Sequence, residues 1–373
     1  MINLAKSQRL VVKVGSALLA RDDGQLRTDW LDALAQDIAA LRSTGTEVMV
    51  VSSGAIAVGR RVLGLARGPR NRVLRLDESQ AAAATGQVQL AHAWQNALAC
   101  HDVSVAQILL TTDDTEDRRR HLNARNTIAT LLRLGVVPVI NENDTVATEE
   151  IRFGDNDRLA ARVAQMMEAD TCVLLSDIDG LYTADPARDD TAEHIAKVDA
   201  ITPDIEAMAG ETAGDDGSGG MITKIEAARV AMQAGCRMVI SDGRNLHPLQ
   251  RLADGERATW FLPQGEPQTS RKRWIAGSLN PVGSIVVDAG AAAALARGKS
   301  LLPAGVTDVE GRFQRGDPVV VTDVDGKEIA RGLVAYGSED ARLILGRRSE
   351  EIEGILGYRG REEMIHRDDL VES

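Results

Sequence analysis

The stretch VVPVINENDTVATEEIRFGDND, residues 136–157, decides the fold. An apolar run (Val136, Val137, Val139, Ile140) ends abruptly in Asn141, Glu142, Asn143 and Asp144, and a short spacer leads to Gly154, Asp155, Asn156 and Asp157. Leu159 to Met167 then repeat with helical periodicity. A buried strand that discharges carboxylates and amides, followed by a helix, is the pattern of an open α/β sheet, whose ligands bind at the carboxyl ends of the strands. Pro138 inside the run marks an edge, a bulge or a strand start.

The same pattern recurs on either side. Residues 10–14 (LVVKV) form a short β-branched run stopped by Gly15 and Ser16, with one charge, Lys13, inside it. Two readings stand: an edge strand with Lys13 in water, or a buried strand whose ammonium meets phosphate at its carboxyl end while Gly15 lets backbone amides approach. Residues 28–41 read as an amphipathic helix with a Thr28 cap and Asp29 in its first turn. Residues 47–51 are the next strand, and Ser52, Ser53, Gly54 and Ala55 follow it. That turn is either an anion site at a helix start or plain N-capping by serine.

Further along, residues 78–100 are Ala-rich and helical, 105–110 a strand, 111–114 a polar turn and 116–134 a helix closed by Gly135. Residues 171–175 are a strand that ends in Ser176, Asp177, Ile178, Asp179 and Gly180. The glycine-rich run Gly217, Ser218, Gly219, Gly220, Met221, Ile222, Thr223, Lys224 opens a helix that continues to Gly235, and residues 237–240 are a strand. Glycines there permit amide contacts to phosphate, with Lys224 in the first turn; a plain flexible loop is the other reading. The alternation stops near Phe261. The expected division is a catalytic domain at 1–263, a linker at 264–279 and a small, mostly β domain at 280–373.

Composition sets the bounds. A chain of 373 residues with 44% hydrophobic and 26% charged residues has the size and balance of two globular domains, and 3% aromatics leave its core to Val, Leu, Ile and Ala. A net charge of -12 argues against nucleic-acid and anionic-membrane partners. Cys100, Cys172 and Cys236 lie far apart and are odd in number, which fits reduced thiols in the cytoplasm. Residues 10–20 mimic a secretory leader, but Lys13, Gly15 and Ser16 break the run. No segment reaches the roughly 18 apolar residues of a membrane span.

Two common ATP-binding schemes fail. Gly298, Lys299 and Ser300 mimic the end of a Walker A loop, but its first glycine is replaced by Ala293, and there is no GxGxxG. The six histidines show no metal-ligand spacing.

Taken together, VVKVGS at 11–16, VSSGAIAVG at 51–59, PVINENDTVA at 138–147, FGDND at 153–157, LYTADP at 181–186 and GSGGMITK at 217–224 closely resemble the glutamate 5-kinases of the amino-acid kinase superfamily. KRWI at 272–275, SLLPAGV at 300–306 and ILGY at 355–358 resemble the carboxyl-terminal PUA domain that many of these enzymes carry. The resemblance implies an open, mostly parallel sheet sandwiched by helices, plus a small PUA-like domain. It implies transfer of the ATP γ-phosphoryl group to the side-chain carboxylate of L-glutamate, the first committed step of proline synthesis, with Mg²⁺ bridging ATP oxygens. Lys13, Ser176, Asp177 and the loop Ser218, Gly219, Gly220, Met221, Ile222, Thr223 and Lys224 would contact ATP. Ser53, Asp144 and Asn156 would bind glutamate, and Asp157 would orient the basic residues. Ser176 stands where the family often has Thr, and the hydroxyl is retained.

Chemistry agrees with that reading. Both reactants are anionic, so cations and amide donors are needed, and Lys13 and Lys224 would flank the transferring group. A carboxylate acceptor is already ionised, so neither a covalent nucleophile nor a strong base is required. Asp144 would meet the α-amino group of the substrate. The resemblance also implies homo-oligomers, feedback inhibition by proline near the glutamate site, and hand-over of the labile acyl phosphate to glutamyl phosphate reductase. Acetylglutamate, aspartate, carbamate and uridylate kinases share the architecture and are the alternatives within it. A regulatory protein that binds RNA through the PUA domain is the alternative from another class, and 12 Lys plus Arg against 17 Asp plus Glu over residues 280–373 is a poor footprint for RNA.

Overall fold

The computed structural model describes residues 4–21, 23–65, 74–146, 156–210, 220–263 and 281–372. The chain divides into two compact units, Met1–Pro267 and Gln268–Ser373. Residues 147–155, including Gly154 and Asp155, lie outside the described residues, as do Ser218, Gly219, the KRWI run and the expected linker.

In the first unit the elements run β1 (Arg9–Val14), α1 (Ser16–Leu19), α2 (Thr28–Ser43), β2 (Glu47–Ser52), α3 (Ala55–Val62), α4 (Leu76–Ala99), β3 (Val105–Leu110), α5 (Thr112–Glu116), α6 (Arg118–Arg133), β4 (Val137–Glu142), α7 (Asn156–Met166) and β5 (Thr171–Ser176). They continue with β6 (Leu181–Tyr182), β7 (His194–Ile195), β8 (Lys197–Val198), α8 (Pro203–Met208), α9 (Met221–Gln233), β9 (Arg237–Asp242), α10 (Pro248–Ala253) and β10 (Ala258–Phe261). Eight of the strands form one sheet in the order β3-β4-β2-β1-β5-β9-β10-β8. The pairs from β3 to β9 are parallel, and β10 runs antiparallel to β9.

Side-chain alternation along these strands decides which residue meets which layer of helices. Val11, Met49, Val51, Ile140, Cys172 and Leu174 point into a core shared with α6, α7 and α9. Leu10, Val12, Val14, Val48, Val50, Val137, Val139, Val173 and Leu175 point into the opposite core, against α2, α4 and α10. Lys13 is two residues beyond Val11, so its side chain belongs to the α7/α9 face. Ser52 and Asn141 continue the rows of Val50 and Val139 and belong to the α4 face.

Several local expectations are settled here. β1 is central, between β2 and β5, so the edge-strand reading of Lys13 is excluded. β4 is also internal. Its pairing with β2 begins only at Val139, so Pro138 stands where its missing N–H costs no ladder bond. The polar turn at 111–114 is a short helix instead, because Thr111 and Asp114 form a capping box. Thr28 is the first residue of α2 rather than its cap, which is Arg27 without a side-chain cap bond.

α3 and α4 pack backbone against backbone. A Cβ at Gly59 would lie 1.7 Å from Ala82 O, and one at Gly86 would lie 1.8 Å from Ala55 O, so only glycine permits this crossing. The crossing fixes the start of α3, where Gly54 (φ +100) turns the chain out of β2.

The second unit has a five-stranded sheet in the order β12-β11-β13-β14-β15, from β11 (Gly283–Val287), β12 (Val306–Gly311), β13 (Pro318–Thr322), β14 (Glu328–Leu333) and β15 (Leu370–Glu372). Ile285, Val287, Val319, Val321, Phe313, Tyr336 and Ile365 are among its core residues.

A Gly→Ala change inside a helix normally adds about 0.5–1 kcal/mol of stability. Gly86→Ala is expected to reverse that sign and cost about 1–3 kcal/mol through overpacking. Urea unfolding measures it, and a raised midpoint would contradict the close crossing.

Candidate active site

Three buried charges meet at the carboxyl end of β1. Lys13 Nζ lies 2.5 Å from Asp157 Oδ1, and Lys224 Nζ lies 3.2 Å from Asp157 Oδ2. Asp157 is 0% exposed, Lys13 7% and Lys224 6%. The three come from β1, the first turn of α7 and the first turn of α9, which all face the same layer. One carboxylate therefore pairs with two ammonium groups, one on each oxygen. Isolated ammonium groups are rarely buried, and here each is paired with the Asp157 carboxylate.

Beside it is an amide cluster. Asn156 Nδ2 donates to Ser52 O (3.0 Å), Ser53 Oγ (2.7 Å) and Asn141 Oδ1 (2.9 Å). Asn141 Nδ2 donates to Gln87 Oε1 at 2.7 Å, and Trp94 Nε1 donates to Ser52 Oγ at 3.0 Å. Ser53 is not an N-cap, since α3 is capped by Gly54 without a side-chain bond. Its hydroxyl is instead drawn toward Asn156. Asp144 follows β4 in a turn and lines a cavity of about 250 Å³ together with Gln87, Gln107, Glu142 and Asn143.

Ser176 ends β5, next to β1, and its hydroxyl donates to Asp177 Oδ1 at 3.1 Å. Gly243 N donates to Ser176 O at 2.7 Å, which joins the ends of β5 and β9. The connection after Asp177 is strapped down on the outer strands: Tyr182 Oη donates to Asp179 Oδ1 (2.9 Å), Arg257 pairs with Asp179 Oδ2 (2.5 Å), and Thr259 Oγ1 accepts from Leu181 N (2.7 Å). Burial pushes the Asp179 carboxyl up, but the bonds from Tyr182 and Arg257 outweigh it and hold the group below its ordinary 3.8. At α9, Gly220 is the cap and Thr223 Oγ1 donates back to Gly220 O at 2.9 Å; Met221, Ile222 and Lys224 complete the first turn.

The site thus brings Lys13, Asp157 and Lys224 into one cluster and Ser53 and Asn156 into a second, with Ser176, Asp177 and Asp144 at neighbouring strand ends. Sequence reasoning missed Gln87, Ser52 and Trp94 as site-supporting groups and left Asn141 without a role. The Gly86-Gln87 pair in an Ala-rich helix was the available signal. Cys172, fully buried beneath the cluster, has its thiol pushed far up by burial, further by Asp157, with Lys13 opposing, so it stays protonated and is no nucleophile.

The comparisons cover most of the chain. The Amino acid kinase family model matches residues 8–242 and the PUA domain model residues 283–356. The glutamate 5-kinase of Paramagnetospirillum magneticum is 63% identical over 369 residues, 99% of this chain and 98% of the relative. That of Rhodospirillum rubrum is 62% identical over 362 residues, 97% and 96% of the two chains. Among solved structures, a carbamate kinase from Giardia lamblia bound to AMP-PNP is 14% identical with a TM-score of 0.50, covering 70% of this chain and all of that one, which speaks for the fold alone.

Two outcomes check the electrostatics. Asp157→Asn removes the carboxylate that both buried ammonium groups share and should cost about 3–5 kcal/mol, more than Lys224→Met, which keeps the Lys13–Asp157 pair; equal urea midpoints would contradict the bridge. Because the folded-state value of Asp179 lies below 3.8, its stabilisation is complete above 3.8 and is lost as pH falls through the lower folded value. Asp179→Asn should therefore lose less stability than the parent on acidification below pH 3.8, and parallel losses would contradict the pairing.

Proposed function

The chain belongs to the glutamate 5-kinase family of the amino acid kinases, and from that premise we propose that it transfers the γ-phosphoryl group of ATP to the side-chain carboxylate of L-glutamate. The observation that carries the proposal is the carboxylate-bridged lysine pair. Two anions must be brought into contact, and charge shifts toward the bridging oxygen as the phosphoryl group moves. Lys13 and Lys224 flank that group, Asp157 keeps both ammonium groups aimed at it, and transfer proceeds in line. No proton is abstracted from the acceptor, which is ionised at neutral pH.

ATP rests against Lys13, Ser176, Asp177 and the loop from Ser218 through Gly219, Gly220, Met221, Ile222 and Thr223 to Lys224, where the positive end of the α9 dipole favours phosphate. Ser53, Asp144 and Asn156 hold glutamate: the hydroxyl offers a donor to a carboxylate, and Asp144 meets the α-ammonium group, the one positive charge that separates an amino acid from a simple diacid.

Among the described residues no three His, Cys, Asp or Glu side chains gather into a metal site. Mg²⁺ keeps waters and phosphate oxygens as most of its ligands. Bound with the nucleotide, Mg²⁺ would supply further charge neutralisation beside Lys13 and Lys224, with Asp157 engaged by the lysines. We propose also that proline inhibits near the glutamate site, that the subunits form homo-oligomers, that the acyl phosphate passes to glutamyl phosphate reductase in proline synthesis, and that this takes place in the cytoplasm. The family membership supports these readings; no described helix is long and apolar enough to cross a membrane.

The test is a hydroxylamine trap with Mg·ATP, scoring hydroxamate and ADP. L-Glutamate should give both, while aspartate and N-acetylglutamate give neither; ADP without hydroxamate, from a nucleotide monophosphate, would overturn the acceptor. Lys224→Ala should lower kcat about 10²–10³-fold with little change in the glutamate KM. Asp144→Ala should raise that KM roughly tenfold or more, as expected for a charged hydrogen bond; weakened ATP binding alone would contradict its assignment.

A further inference from the structure

The amide cluster has a fixed polarity, and it begins at backbone groups that cannot exchange roles. Ser52 O can only accept, so the Asn156 atom facing it is Nδ2. Glu142 N can only donate, and it donates to Asn141 at 2.9 Å, so that atom of Asn141 is Oδ1, the same atom that receives Asn156 Nδ2. The remaining Asn141 atom is therefore Nδ2, and it needs an acceptor. Gln87 Oε1 is that acceptor, at 2.7 Å, on a side chain 8% exposed in α4.

The consequence falls on Asn156. With its Nδ2 surrounded by three acceptors, its Oδ1 is left buried and, among the described residues, without a donor. A buried acceptor without a partner is destabilising until a donor bonds it. The only N–H donors of L-glutamate are those of its α-ammonium group. Without the Gln87 acceptor, Asn141 Nδ2 would be buried with its bond unmade, and the Asn141 side chain that receives Asn156 Nδ2 would lose its anchor on α4.

We propose that Gln87 is a positioning residue for the glutamate site: by accepting from Asn141 Nδ2 it holds the Asn141 side chain, and so the oxygen that receives Asn156 Nδ2, in place, and this steadies the Asn156 amide with its oxygen turned to the substrate ammonium. The inference rests on the glutamate reading given above. Gly86, next to it, lets α4 come close enough for the contact, since any side chain at that position would strike Ala55 O.

Kinetics of Gln87→Met and Gln87→Glu test this. Methionine has similar length and no strong acceptor; glutamate, neutral or ionised, keeps an oxygen toward Asn141. Gln87→Met should raise the KM for L-glutamate about tenfold, the scale of one buried hydrogen bond. Its kcat and its KM for ATP should stay within about twofold of the parent. Gln87→Glu should restore most of the loss. Should Gln87→Met fail to fold, Gln87→Ala removes the same acceptor without added volume and gives the same comparison. An unchanged glutamate KM, an equal change in the ATP KM, or no rescue by glutamate would overturn the proposal. If the parent chain forms no hydroxamate with L-glutamate, the functional reading fails; if it does and Gln87→Met matches it, only the role of Gln87 fails.

Discussion

The structure depends on one buried carboxylate shared by two lysines. Charges taken out of water are costly, and the Asp157 carboxylate offsets part of that cost for both ammonium groups beside it. The chain arranges three elements to make this possible. β1 carries Lys13 on the row that faces α7, α7 begins with Asp157, and α9 begins with Lys224. In the proposed reading, two ammonium groups held at one point are what an anionic nucleotide and an anionic acceptor need.

A second constraint operates on the other face of the sheet. The α3–α4 crossing at Gly59 and Gly86 is close enough that Gln87 and Trp94 of α4 reach the ends of β4 and β2. The lysine cluster and the amide cluster thus sit on opposite faces of the same strand ends and meet at Asn156 and Asp157, neighbours in sequence at the start of α7. In the proposed function, the first face serves the phosphoryl group and the second the amino acid.

Much of this was legible in the sequence because it is written in local patterns. A single lysine in an apolar strand, apolar runs that end in amides and carboxylates, and a glycine turn before Lys224 all stand out by contrast with their neighbours. Strand alternation even fixes the face of Lys13 once the neighbours of β1 are known. What stayed hidden depends on contacts between distant segments. Gln87 looks like any polar residue of an Ala-rich helix until Asn141, 54 positions later, is seen to need its oxygen. Ser53 reads as a helix cap because the competing partner, Asn156, is remote in sequence. Pro138 suggests an edge because the sequence does not reveal that pairing with β2 starts one residue later.

The most direct measurement of the central claim is binding of a mimic of the phosphoryl group in flight. Titration calorimetry with ADP, Mg²⁺, aluminium fluoride and L-glutamate would compare the parent chain with Lys224→Met, alongside ATP alone. If the bridged lysines act on the transferring group, Lys224→Met should weaken the fluoroaluminate complex by about 10²-fold or more, while ATP binding changes by only a few-fold. Equal losses for the mimic and for ATP would make the lysine pair a nucleotide anchor and contradict the account.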